Sequence, residues 1–406
     1  MHLKSAFPAN MSLPSLLSAL NTGPPRAVRL NRSGPGTLAS LALSFARTGQ
    51  NVLVAARGAG EFSELRSLLT LFSPETPERK SVQEQWKRPV VSMPPYPPGN
   101  FGKSGWAERM SALYALKMGH SAQIILVSLD NFFMRLPPQD FFSEHELRLS
   151  KGMDMAPDLV LDQAVDWGYT RVSLVGAPGD VAMRGDILDI FCPGYSKPLR
   201  LEFFGDVLDD LRHFDPSSQR SVADVPEMTL LPVAPVILSR AQRLKADAFW
   251  QGELRAGRLT GADLSGFMRL ADAGGAGLFP GAYYQEASCL EEWLPRECVF
   301  LLPGEQEILP LLEEGERLWA ECLDAEANSR GFRQPAGRVL RTAAETERFL
   351  AGTRRIHWED LRVGLPENAH GNLALPERAI SAFQDLFPLP EDQERPWGRL
   401  VSLLRA

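Results

Sequence analysis

The stretch 179–221 constrains this chain most, because its pattern predicts consecutive strands joined by turns. Val181–Phe191 is rich in Ile, Leu, Val and Phe, as a half-buried strand is. After a turn rich in Pro and Gly, Leu199–Phe204 and Val207–Phe214 predict two further strands. Gly205 begins the two-residue turn between them, since glycine tolerates a positive φ. The stretch therefore predicts a meander of three strands.

The strand Leu199–Phe204 is predicted to have one apolar and one polar face. Its leucines and Phe203 fall on one face, and Arg200, Glu202 and Phe204 fall on the other. A large apolar ring beside a guanidinium is the composition of an interface anchor. The alternative is that Phe204 turns inward, or is covered by another element of this chain, because alternation is easily broken near a turn.

Short motifs in this stretch carry a family resemblance. They are Arg184-Gly185, Asp189-Ile190-Phe191, Pro193-Gly194, Arg200-Leu201-Glu202-Phe203-Phe204, Phe214-Asp215 and Gln219-Arg220-Ser221. They resemble the segment shared by the N-terminal region of bacterial transcription-repair coupling factors (Mfd) and the excision-repair protein UvrB. The resemblance extends more thinly from about Arg26 to about Leu302. It implies that the meander belongs to a small domain that binds the repair ATPase UvrA.

The resemblance also implies three residues that contact UvrA: Arg184, Arg200 and Phe204. The two guanidiniums would meet acidic groups of the partner, and the ring would act as an aromatic anchor. The residues themselves leave an alternative open for each arginine. That alternative is an ion pair within the chain, for example between Arg200 and a cross-strand Asp or Glu.

The first part of the chain alternates between strand and helix patterns. Strands are predicted at Ala27–Leu30, Asn51–Ala56 and Gln123–Ser128, and helices at Thr37–Arg47, Glu61–Phe72 and Ala107–Met118. Such alternation predicts a parallel sheet with helices on its faces.

The turn after the first strand, 31–37, resembles the start of a P-loop but lacks its working parts. A P-loop needs Gly-x4-Gly-Lys-[Ser/Thr], because the lysine reaches the phosphates and the hydroxyl holds Mg²⁺. No lysine lies between Arg26 and Gly60, and Pro35 removes one backbone N–H. The tripeptide Gly102-Lys103-Ser104 does not complete a P-loop either, because position 97, where the motif requires its first glycine, is a proline. We interpret the nucleotide site as degenerate.

Composition excludes some classes of function. With 43 basic and 50 acidic residues, the 406-residue chain has a net charge of −7, whereas nucleic-acid-binding domains are usually basic. We find no secretory signal pattern and no apolar run near the ~20 residues that a membrane span needs. The four cysteines show no CxxC spacing and the six histidines are scattered. We therefore expect no metal site, no cofactor, no membrane and a cytoplasmic location.

We predict an α/β and α+β multidomain chain. A degenerate RecA/P-loop-like parallel-sheet domain is expected at 1–140, and a UvrA-binding α+β domain at 141–233. A mostly helical segment follows at 234–340, and a linker with the start of another domain at 341–406. Further strands are predicted at Thr170–Val175 and Arg354–Glu359, a break between helices at 274–277, and helices at Arg240–Arg258, Glu305–Asn328 and Trp397–Arg405. The resemblance implies that 234–340 packs on 1–140, so that the first domain is discontinuous around the small one.

The resemblance implies a non-catalytic module that recruits UvrA in transcription-coupled nucleotide excision repair and restrains the motor of a parent protein. That parent is an ATP-dependent DNA translocase, which binds RNA polymerase and double-stranded DNA through domains absent from this chain. The alternative is a fragment of a UvrB-like, ATP-dependent damage-recognition protein, which predicts a P-loop lysine and an aromatic-rich hairpin. A third class, a nucleic-acid-binding module, is weakened by the acidic balance.

We expect the chain not to bind or hydrolyse ATP, because the turn 31–37 holds no lysine. Isothermal calorimetry with Mg²⁺ and ATP should show no saturable heat. Micromolar binding that is lost when Thr37 is mutated would contradict this prediction.

Overall fold

The computed structural model describes residues 27–31, 34–72, 86, 89–96, 98, 103–119, 123–273, 279–334, 336–359 and 372–374. These residues form a seven-stranded sheet, a six-stranded sheet and a two-stranded sheet, with helices packed around them. The α/β and α+β multidomain class is thereby confirmed. The likeness to a RecA domain remains a prediction.

The seven-stranded sheet is parallel throughout, with the order β15-β1-β14-β13-β2-β4-β3. Its strands are β1 (Ala27–Asn31), β2 (Asn51–Ala56), β3 (Val90–Ser92), β4 (Ile124–Ser128), β13 (Cys298–Pro303), β14 (Arg355–Glu359) and β15 (Asn372–Ala374). The helices α1 (Pro35–Arg47), α2 (Ala59–Phe72) and α3 (Lys103–Met118) connect the first four strands. Helix α10 (Glu305–Arg330) follows β13.

The central strands of this sheet are buried on both faces. In β2, Val52 and Val54 belong to one apolar core and Leu53 and Ala55 to the other. The first core also contains residues of α1 and α2, and the second contains residues of α3 and α10. Helices on both faces explain why β2, β4 and β13 are nearly continuous apolar runs.

Strand β13 comes from the segment 234–340, yet it lies between β2 and β14. The strand predicted at Arg354–Glu359 was placed in the linker segment 341–406. In the structure β14 pairs with both β1 and β13 inside the main sheet, while the boundary at 341 stays a prediction. Strand order across a sheet depends on contacts distant in sequence, which local patterns do not report. The other domain boundaries stay predictions.

The six-stranded sheet has the order β11-β10-β9-β8-β7-β6. Its strands are β6 (Thr170–Arg171), β7 (Asp180–Arg184), β8 (Ile187–Ile190), β9 (Leu199–Phe204), β10 (Val207–Phe214) and β11 (Ser221–Asp224). Neighbours are antiparallel except for β6 and β7. Beside it, β5 (Leu147–Ser150) pairs with β12 (Glu227–Leu230), and helix α5 (Pro157–Asp166) precedes β6.

The meander differs from the prediction at its start. Val181–Phe191 is not one strand but a hairpin of β7 and β8, which turns at Gly185 with φ of 59°. Gly205 has a φ of 61° in the second hairpin, and both glycines are followed by aspartate. The same Gly-Asp signal could have located the first turn. The strand predicted at Thr170–Val175 is limited to its first two residues.

The remaining helices are α4 (Phe141–Glu144), α6 (Arg240–Arg255), α7 (Gly261–Ala273), α8 (Pro280–Tyr283), α9 (Leu290–Trp293), α11 (Ala336–Val339) and α12 (Ala343–Ala351). Helix α6 ends three residues before the predicted Arg258, and α10 extends two residues beyond the predicted Asn328. The predicted break at 274–277 and the predicted helix Trp397–Arg405 lie outside the described residues.

Two helical glycines provide a matched test of packing. A Cβ at Gly266 in α7 would lie 2.2 Å from Cγ of the buried Phe332, whereas a Cβ at Gly252 in α6 would meet nothing within 4 Å. Gly252→Ala should stabilise the chain by roughly 0.5–1 kcal/mol through helix propensity. Gly266→Ala should destabilise it by roughly 1–3 kcal/mol through overpacking. Urea midpoints of the two variants would check this, and equal shifts would contradict the packing of Phe332 on α7.

Adjacent phenylalanines in β9 test which face of the strand is buried. Phe203 is 6% exposed and Phe204 is 83% exposed. Phe203→Ala should therefore cost about 3–5 kcal/mol of unfolding free energy, and Phe204→Ala should stay within about 0.5 kcal/mol. Chemical denaturation of both variants measures the difference. A larger loss for Phe204→Ala would mean that the strand faces are reversed.

Candidate partner-binding site

The six-stranded sheet buries one face and exposes much of the other. Leu188, Leu201 and Leu211 align across β8, β9 and β10 and belong to the larger apolar core. The opposite face, which we call the outer face, carries Arg200, Glu202 and Phe204 of β9, as predicted from the alternation. This face is where a partner could reach the sheet.

Phe204 lies at the end of the outer face and points to solvent, with 83% of its surface exposed. Val207 is its directly opposed residue in the β9–β10 hairpin and is 40% exposed. Ile187 is opposite Glu202, diagonal to Phe204, and is 37% exposed. Cross-strand neighbours on one face lie within contact range of large side chains. Ile187, Phe204 and Val207 therefore form an exposed apolar group, which we call the apolar tip.

Arg184 ends β7 in the same cross-strand row as Ile187 and is exposed. Its guanidinium donates a hydrogen bond to the carbonyl oxygen of Ser173. Within the described residues no carboxylate lies within ion-pair distance of it. Arg184 therefore offers an exposed positive charge near the apolar tip.

Arg200 behaves differently, because it is paired within the sheet. Its Nε and Nη2 donate to the two carboxylate oxygens of Asp189 at 2.7 and 2.8 Å. Asp189 is its directly opposed residue in β8. The guanidinium also lies 4.7 Å from the ring centroid of the buried Phe214. The ion pair that the sequence left open for Arg200 is thus present, and hydrogen bonding to Asp189 raises the pKa of Arg200.

Arg200 makes one more contact, to the turn that follows β10. Its Nη1 donates to the carbonyl oxygen of Gln219 at 3.3 Å. Among the described residues, Gln219 is the one non-glycine residue with a positive φ, at 58°. The side chain of Asp215 accepts hydrogen bonds from the backbone N–H groups of Ser217 and Ser218. These bonds, from Ser218 first, lower the pKa of Asp215.

The structure adds residues that the sequence analysis missed. Ile187 and Val207 join the site only through strand register, since the sequence pattern predicts Ile187 inside one long strand, Val181–Phe191. Arg212 bridges Glu202 and Asp210, which also contacts Lys151, so the charged centre of the outer face is internally paired. Arg184 and the apolar tip therefore lie to one end of this paired region.

The carboxyl edge of the main sheet is the usual ligand position in open α/β sheets. Here Arg57, just after β2, is hydrogen-bonded to Glu61 at 2.9 Å and Glu307 at 2.7 Å. Its guanidinium carbon lies 3.8 Å from the ring centroid of Trp358. The two carboxylates occupy the first turns of α2 and α10, where helix dipoles favour anions. Burial is the largest influence on Glu61 and raises its pKa.

In the part of the chain that the structure describes, no group of three or more His, Cys, Asp or Glu side chains is arranged to hold a metal ion. No described helix combines the length and the apolar character that crossing a membrane requires.

The comparison with protein families places the six-stranded sheet in a defined unit. Residues 147–235 match the model of the UvrB interaction domain. This range contains all six strands of the sheet, together with α5, β5 and β12. Arg184, Arg200, Phe204 and the apolar tip therefore lie inside the matched domain.

Three curated proteins, each called transcription-repair-coupling factor, are similar to this chain. The protein of Myxococcus xanthus is 33% identical over 160 residues, which is 39% of this chain and 13% of that protein. The protein of Escherichia coli (strain K12) is 36% identical over 126 residues, 31% of this chain and 11% of that protein. The protein of Staphylococcus aureus (strain MRSA252) is 28% identical over 199 residues, 49% of this chain and 16% of that protein.

The matched segments thus span less than a fifth of each relative's length. The chain contains a UvrB interaction domain and resembles the N-terminal, UvrB-like region of the transcription-repair-coupling factors.

Proposed function

We propose that this chain is a non-catalytic module that recruits UvrA in transcription-coupled nucleotide excision repair, acting in the cytoplasm. The observation that carries the proposal is the 83% exposed ring of Phe204 on the outer face of the UvrB interaction domain. An exposed aromatic side chain flanked by smaller apolar side chains is the composition of an interface centre.

The proposed contact surface has an apolar and a charged part. Phe204 anchors the contact, and Arg184 offers its charge to an acidic group of UvrA. Arg200 is the third residue of the proposed site, but its charge already faces Asp189. A guanidinium that is already paired gains less from a second carboxylate than an unpaired one does. We therefore expect the larger electrostatic contribution from Arg184.

The carboxyl edge of the main sheet supports the non-catalytic part of the proposal. Phosphate binding at a parallel sheet uses free backbone N–H groups at helix N-termini. Helix α1 begins with Pro35, which has no N–H, and the first turns of α2 and α10 carry Glu61 and Glu307. Carboxylates at these positions repel phosphate, and Arg57 is engaged by both of them. This arrangement disfavours the alternative of a UvrB-like ATP-dependent protein.

The remaining parts of the proposal concern a parent protein. If the chain is part of a transcription-repair-coupling factor, it would restrain an ATP-dependent translocase motor by packing on it. RNA polymerase and double-stranded DNA would then be bound by other domains of that parent.

The proposal predicts a loss of UvrA binding without a loss of folding. Phe204→Ala should weaken binding by about 2 kcal/mol or more, roughly thirtyfold, because truncating a central aromatic anchor has a cost of that order. Arg184→Glu should also weaken binding and make the remainder less sensitive to salt. Calorimetric titration of the full chain with purified UvrA measures both effects.

Leu244→Ala is the matched control, because Leu244 is a 62% exposed apolar side chain outside the matched domain. It should bind UvrA as the unmodified chain does. Unchanged affinity for Phe204→Ala, or failure of the unmodified chain to bind UvrA, would contradict the proposed function.

A further inference from the structure

The turn between β10 and β11, residues 215–220, is ordered by an unusual set of hydrogen bonds. The backbone N–H of Asp215 donates to the carbonyl oxygen of Arg220 at 2.9 Å, and that of Gln219 donates to the carbonyl oxygen of Asp215 at 2.7 Å. The side chain of Gln219 donates to the carbonyl oxygen of Pro216 at 2.7 Å. These bonds close the turn on itself.

Gln219 adopts a conformation that side-chain-bearing residues rarely hold, with φ of 58°. Such a conformation persists when its surroundings over-determine it, and it is a reason to look for function. One of these surroundings is Arg200, which reaches the Gln219 carbonyl oxygen while Asp189 holds its other edge. Arg200 therefore connects the turn to the middle of the sheet.

The turn presents Arg220, whose side chain is exposed. Within the described part of the chain, no carboxylate lies within ion-pair distance of it. Arg200 is the opposite case: its side chain is 17% exposed and its charge is balanced by a 6% exposed carboxylate. Of these two arginines, Arg220 has the charge that an external acidic group can reach.

We propose that Arg220 is a direct contact to an acidic group of the partner, and that Arg200 is a positioning residue that acts by holding the turn that presents Arg220. This inference rests on the proposed function, since the partner is UvrA. It extends the binding surface from the apolar tip, at one end of β9 and β10, to the turn at the other end of β10. An eight-residue strand spans roughly 25 Å, so the contact is long rather than a single point.

The experiment uses the full chain with a variant that should rescue the turn. Arg200→Lys keeps a positive charge but loses the planar fork that holds Asp189 and the turn together. Gln219→Gly removes the conformational strain, because glycine adopts a positive φ freely. Calorimetry with purified UvrA at two salt concentrations gives affinities. Amide hydrogen exchange of residues 215–221 without UvrA reports on the turn.

Arg220→Ala should weaken binding about five- to tenfold and reduce its salt dependence. Arg200→Lys should weaken binding to a similar extent and accelerate exchange in the turn. Adding Gln219→Gly to Arg200→Lys should restore slow exchange and bring the affinity to within about twofold of the unmodified chain. Gln219→Gly alone removes the side-chain bond to Pro216 as well as the cost of the positive φ, so it should change both quantities less than Arg200→Lys does.

Two results would overturn the inference. Normal affinity for Arg220→Ala would remove Arg220 from the contact. Loss of binding in Arg200→Lys with unchanged exchange and no rescue would show that Arg200 itself touches UvrA. If the unmodified chain does not bind UvrA, the proposed function fails and the contact role of Arg220 with it, whereas the exchange data still decide the positioning role of Arg200.

Discussion

The pairing of β13 with β2 organises the molecule. Cys298 lies opposite Asn51, so two neighbouring strands of one sheet come from distant parts of the sequence. Val299 and Leu301 enter one apolar core while Phe300 and Leu302 enter the other, and this strand joins both layers of helices. Everything between β4 and β13 must leave the main sheet and return to it. The matched UvrB interaction domain lies within that excursion and forms its own sheet.

The two faces of the inserted six-stranded sheet differ in burial. Its inner face joins the larger apolar core, which also contains residues of the main sheet. Among the described residues, its outer face carries a small buried apolar cluster, which includes Ala182 and Phe214 and lies beneath the guanidinium of Arg200. At the centre of this face, the charged side chains form ion pairs with one another. The apolar tip at Phe204 has no such covering among the described residues, which is the physical basis for assigning it to a partner.

The main sheet illustrates that a fold does not carry its function with it. Strand β1 and the helix α1 that follows it have the order of a phosphate-binding unit, but the helix begins at a proline. At the carboxyl edge, Arg57 lies against Trp358 and between two carboxylates. An ion pair within the chain thus occupies the region in which an α/β sheet ordinarily holds a ligand.

The sequence by itself determined the local elements and the faces of β9, because alternation with a period of two is a property of neighbouring residues. It thereby placed Phe204 on the same face as Arg200, while leaving open that the ring turns inward, and it supplied the family resemblance. The sequence did not distinguish Arg184 from Arg200, because it predicts the same contact role for both. Only the tertiary structure decided that Arg200 is ion-paired and that Arg184, among the described residues, is not, because the pair depends on the register that places Asp189 opposite Arg200. That register is set by the turn at Gly185 and by pairing between strands, which no local pattern encodes.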